Sequence, residues 1–234
     1  MPTNESDLHR GHRQRLKKRF LEEGLDNFEP HNILELLLFF GIPRRDTNPL
    51  AHQLLDTYGS FSAVLDAPFD DLVKMKGMTE SAAFLLKLCT GVSRAYDIDK
   101  ADHTVLLNSL AAIEKYIQPF FKGKTNEEFY AFYLDNACKV ITSRRLSEGG
   151  LNSAPVSIRR IVEYAISSNC TNVIVAHNHP HGLASPSHAD CVTTIDIYRA
   201  LKTCEVNLLD HIIVSPSGCT SMLNDGFFCP DNIF

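Results

Sequence analysis

The stretch that most constrains the fold is Thr171-Asn172-Val173-Ile174-Val175-Ala176-His177-Asn178-His179-Pro180. Its apolar, β-branched run from Val173 to Ala176 reads as a buried strand. Alternate side chains of an extended chain point the same way, so His177 and His179 can aim both imidazoles at one point. After a Gly/Pro/Ser-rich loop come Ser187-His188-Ala189-Asp190. Ser187 is a good helix N-cap, and an acid three residues later matches a capping box. Val192, Ile195 and Leu201 follow at roughly helical spacing, so Asp190 falls in a first helical turn at the mouth of the loop. Two neutral imidazoles and one carboxylate suit an ion that takes nitrogen ligands at about 2.0–2.1 Å. They leave a fourth tetrahedral position open, which separates a catalytic zinc site from a structural one.

The rest of the chain divides in two. Residues 9–24 read as a basic helix ending at a glycine, and residues 32–40 as a buried helix. Asn48-Pro49 is expected to start a third helix, with asparagine as cap and proline in the first turn. Short helices follow over 60–67 and 68–76, then a long one over 79–96. Residues 97–104 are polar, lack periodicity and read as a linker. The expected domains are therefore 1–100, small and all-α, and 101–234. The second opens with a helix over 108–121 and an aromatic strand over 127–134. A second strand over 138–145 and a Gly149-Gly150 loop come next. Ser157 then caps a helix carrying Ile158, Ile161, Val162, Ala165 and Ile166 on one face. Strands are expected over 206–214 and around Met222. Strands mixed with helices in this order make an α/β domain.

Bulk properties exclude several classes. A net charge of −5 is far from the basic footprint of a dedicated nucleic-acid binder. Seven scattered cysteines with no Cys-x-x-Cys pair argue against a disulfide framework and for a reducing cytoplasm. Residues 1–19 are polar and charged, unlike a signal peptide, and no apolar run approaches the ~20 residues of a membrane span. The expectation is a soluble, cytoplasmic protein.

The spacing His-x-His-x7-Ser-x2-Asp, formed by His177, His179, Ser187 and Asp190, resembles the metal motif of JAMM (MPN-plus) metallopeptidases. The strings VIVAHNHPHG, PSHAD and LLDHIIVS are similar to the RadC branch of that family. So is GHRQRLKKRFLEEGLDNFEPHNILELLLFFGIPRRDTNPLAHQLL, and the resemblance covers nearly the whole chain. It implies a sheet-and-helix MPN domain after a helical RadC-type domain. It also implies Zn2+ on His177, His179 and Asp190, and hydrolysis of a peptide or isopeptide bond by zinc-activated water. In JAMM proteins a glutamate before or at the first strand is the general base, which implies Glu127. Glu128 competes with it, because adjacent strand residues face opposite sides. Glu148, beside the Gly149-Gly150 loop, is a third option. Ser187 is implied to hydrogen-bond the developing oxyanion.

Leu72 to Ala83 resembles the helix-hairpin-helix turn of the RadC N-terminal region, with Lys74, Lys76 and Gly77 at its centre. Such turns hold a DNA phosphate on backbone N–H groups. Here Thr79 stands where the usual form has a second glycine. The alternative reading is therefore a DNA-associated repair accessory protein whose metal domain is structural or binding. His181 and His188 read as solvent-facing, and His211 as structural with room for a role behind the ligands. The deaminase signature with Pro-Cys-x-x-Cys is absent, as are His-Glu-x-x-His, a P-loop, GxGxxG and GxSxG.

Overall fold

The computed structural model describes residues 5–100, 105–148 and 156–230, without the side chains of residues 5–10 and 148. The expected Gly149-Gly150 loop and residues 101–104 of the expected linker lie outside these. The chain divides into two units, Met1–Ser93 and Arg94–Phe234.

The first unit is helical: α1 (Glu5–Glu23), α2 (Pro30–Gly41), α3 (Asn48–Tyr58), α4 (Phe61–Asp66), α5 (Phe69–Lys74) and the start of α6 (Glu80–Lys100). Leu34, Leu38, Leu54, Val64, Leu72, Ala83 and Leu86 are fully buried in its core. At Gly41 the backbones of α2 and α6 nearly touch, since a Cβ there would stand 2.4 Å from Ala82 Cα. Two expectations are corrected. Thr47, not Asn48, holds the cap position of α3. The Asn48 amide instead donates to Glu35, a fully buried carboxylate that His12 also meets at 2.9 Å. Residues 97–100 are helical rather than linker. Asp97 pairs with Lys122 at 2.7 Å and Ile98 packs on the core of the second unit, which gives these polar residues reason to stay in register.

The second unit contains α7 (Leu110–Phe121), β1 (Glu128–Leu134), β2 (Val140–Glu148), α8 (Ile158–Ser168), β3 (Asn172–Asn178), α9 (His188–Thr203), β4 (Asn207–Ser215) and β5 (Gly218–Ser221). Met222 falls just after β5 rather than within it. The sheet order is β2-β1-β3-β4-β5, with β3 and β4 parallel and the other pairs antiparallel. A mixed α/β domain therefore follows the helical region, consistent with the expected sheet-and-helix MPN domain.

Alternation along the strands builds two cores. Phe132, Leu134, Ile174, Ala176 and Ile212 face α7. Phe129, Ala131, Tyr133, Val173, Val175 and Ile213 face α8 and α9. On that second face Ile161 and Ala165 are buried, as the spacing along α8 requires, and Ser157 caps the helix by accepting from Arg160 N. Every residue of β3 is buried, which accounts for its unbroken apolar run. Among the described residues no helix is long and apolar enough to cross a membrane.

Candidate metal centre

The end of β3 and the start of α9 bring together three side chains that could ligate a metal ion. His177 Nε2 lies 2.9 Å from His179 Nε2 and 3.1 Å from Asp190 Oδ1. His179 Nε2 is 3.7 Å from Asp190 Oδ2. Ligands about 2.0–2.2 Å from a tetrahedral ion stand roughly 3.3–3.5 Å apart, and these separations bracket that value. Local chemistry makes each position. Ser187 Oγ accepts from Asp190 N, and Asp190 Oδ2 accepts from Ser187 N at 2.7 Å, closing the capping box that holds the carboxylate. Strand alternation puts both histidines on the face covered by α9.

The donor set fits a cation. His179 Nδ1 lies 3.0 Å from the Leu183 carbonyl, which can only accept, so the ring keeps its proton there and turns a bare Nε2 inward. That lone pair faces a second imidazole nitrogen and a carboxylate. Burial pushes the Asp190 carboxyl up, but its pairing with His177 and the hydrogen bonds from Ser187 outweigh it and hold the group well below the usual carboxylate range. A buried anion among inward lone pairs is costly unless a positive ion joins it. The three residues could hold a metal ion.

The two candidate glutamates separate by face. Phe129 pairs with His177 across β1 and β3, and the two rings stack with centroids 6.0 Å apart. Glu127, two residues earlier, shares that side. It lines a cavity of about 540 Å³ together with His179, Ser187 and Asp190. Glu128 points the other way, buried with Lys124 at 2.5 Å, Arg145 at 3.2 Å and the Tyr130 hydroxyl at 3.0 Å. The side chain of Glu148 is outside the described residues. His181 is exposed at the cavity rim, and His188 is exposed at the start of α9.

Three polar residues beside the site escaped sequence reasoning or were undervalued by it. Asn178 is buried, accepts from Glu128 N at 2.7 Å and donates to the Asn126 carbonyl at 3.1 Å, bracketing Glu127. His211, fully buried on β4, lies 2.8 Å from His177 and 2.6 Å from Thr194 on α9. Burial first, and His177 second, push its imidazole well below the ordinary range, which favours the neutral ring. The lone histidine in an apolar strand was the available signal for that contact; Asn178 and Thr194 carried none.

In the first unit Gly77 has φ +95, in the left-handed region glycine favours. Lys74 and Lys76 are exposed, and Lys74 pairs with Asp71 at 2.9 Å. Thr79 Oγ1 accepts from Ala82 N and donates to the Gly41 carbonyl, so a side chain occupies one of the N–H groups a phosphate would take.

Comparison with known proteins agrees with this architecture. Residues 107–227 match the RadC-like JAB domain. The chain is 33% identical over 218 residues to a UPF0758 protein of Ruegeria pomeroyi, covering 93% of this chain and 97% of that one. It is 32% identical over 223 residues to a UPF0758 protein of Fusobacterium nucleatum, covering 92% and 96%. A third UPF0758 protein, from Paraburkholderia xenovorans, is 31% identical over 211 residues, covering 90% and 83%. With a helical region leading into a five-stranded domain that gathers His177, His179 and Asp190, the chain belongs to the RadC-like JAB-domain family.

Proposed function

We propose that this protein is a zinc-dependent metallopeptidase of the JAMM type, hydrolysing a peptide or isopeptide bond. One observation carries the reading: Glu127 and Ser187 line the same cavity as His179 and Asp190, and His177 reaches both ligands from behind. His177, His179 and Asp190 would hold the ion. When bound, zinc supplies Lewis acidity that makes water ionisable near neutral pH. Glu127, half-buried at the rim, takes the water's proton and returns it to the leaving amine. Ser187 Oγ is an acceptor within its own cap, so its hydroxyl proton is available to the developing oxyanion. Glu128 is the counter-ion of Lys124 and Arg145 and takes no part in proton transfer.

Two measurements test this. Purified full-length protein should hold about one zinc per chain, and His177→Ala should lose it; equal zinc in both removes the site. A peptide library should be cleaved by wild type and about 10²–10⁴-fold more slowly by Glu127→Gln. Cleavage that survives this change moves the base elsewhere.

A further inference from the structure

Behind the three ligands a second row of polar groups runs through the core. It links His177 Nδ1 to His211 Nε2 at 2.8 Å, His211 Nδ1 to Thr194 Oγ1 at 2.6 Å, and Thr194 Oγ1 to the Asp190 carbonyl at 2.6 Å. The row begins on the ring of one ligand and ends on the backbone of another. It crosses β3, β4 and α9. His211 and Thr194 are both 0% exposed, so bulk water does not compete for these contacts.

Counting protons gives the row a direction. A carbonyl oxygen only accepts, so the contact with Asp190 uses the single hydroxyl proton of Thr194. Thr194 Oγ1 must then accept from His211, which places the His211 proton on Nδ1. A neutral imidazole protonated there has a bare Nε2, which accepts from His177 Nδ1–H. His177 is left with a bare Nε2 facing His179 and Asp190. The reverse direction would set two proton-free oxygens 2.6 Å apart. It would also put a proton on His177 Nε2, the atom that must bind the ion.

We propose that Thr194 and His211 are positioning residues that set the tautomer of His177 and tie its orientation to that of Asp190. The inference rests on the metal-holding half of the reading above and is independent of peptide hydrolysis. An outer hydrogen bond of this kind fixes the ring and raises its basicity, and losing one typically costs 10–100-fold in metal affinity.

The test uses the full chain, dialysed free of metal and titrated with zinc alone against a competing chelator. Thr194→Val keeps the side-chain shape but removes the acceptor, and should weaken zinc binding about 10–100-fold. Thr194→Ser restores the hydroxyl and should bind close to wild type. In zinc-loaded wild type, imidazole ¹⁵N shifts should show the His211 proton on Nδ1. A His211 proton on Nε2, or wild-type affinity in Thr194→Val, overturns the proposal. If Thr194→Val does not fold, the wild-type ¹⁵N shifts and the serine variant still decide. Absence of zinc binding by wild type overturns both this proposal and the peptidase reading. An intact affinity order without peptide cleavage supports the relay and counts against the peptidase alone.

Discussion

Replacing Asn178 by alanine isolates how Glu127 is held. The Asn178 amide makes two buried contacts, accepting from Glu128 N at 2.7 Å and donating to the Asn126 carbonyl at 3.1 Å. Each is worth about 1 kcal/mol net, and stranding the Glu128 N–H adds about 1–3 kcal/mol of desolvation. Asn178→Ala should therefore destabilise the second unit by about 3–5 kcal/mol. At roughly 3 °C per kcal/mol for a unit of this size, its calorimetric transition should fall by about 9–15 °C. Zinc stoichiometry should persist, because the ligating imidazoles leave β3 on the opposite face. Peptide cleavage should fall, because the backbone on both sides of Glu127 loses its anchor. Asn178→Asp divides the effect: its carboxylate still accepts from Glu128 N but sets an oxygen against the Asn126 carbonyl. An Asn178→Ala transition within about 2 °C of wild type, below what one lost hydrogen bond predicts, would refute the clamp. Zinc loss as complete as in His177→Ala would show instead that Asn178 supports the ligands.

Further outcomes follow from the same contacts. Glu128→Gln removes the shared counter-charge of Lys124 and Arg145. Because Arg145 is 47% exposed, the cost should be about 2 kcal/mol rather than the 3–5 of a fully buried pair, with zinc content unchanged in metal analysis. Gly41→Ala drives a Cβ into the Ala82 backbone and should cost about 1–3 kcal/mol or more in urea denaturation of the full chain. Asp190 has its folded pKa held below the usual carboxylate range, so it contributes stability at higher pH that is lost as pH falls through the folded value. In metal-stripped protein, Asp190→Asn should flatten the urea midpoint against pH below about 4; an unchanged slope would refute the assignment.

Much of the site was legible because its signals are local. Strand alternation aims residues 177 and 179 together, and the capping box places Asp190 within four residues of Ser187. Which of Glu127 and Glu128 faces the candidate ligands was not a local matter. It depends on β1 pairing with β3 so that Phe129 stands opposite His177, a register set by partners 48 positions apart in sequence. The linker reading failed for a related reason. Residues 97–100 look like connector by composition, yet Lys122 and the core under Ile98 supply what the local sequence lacks.

The middle residue of the His177-Asn178-His179 triplet shows where reading a strand by its pattern stops. Alternation assigns residue 178 to the face away from the metal and says nothing more. The pairing partner on that side gives the position its task, because β1 begins with a backbone N–H that needs an acceptor. The period of two that converges the imidazoles thus turns the residue between them toward the segment that carries the glutamate. The geometry of the candidate ligands and the placement of the proposed base are coupled through a single strand. A one-residue slip of β3 against β1 would disrupt both at once, whereas losing either partner alone would disrupt only one.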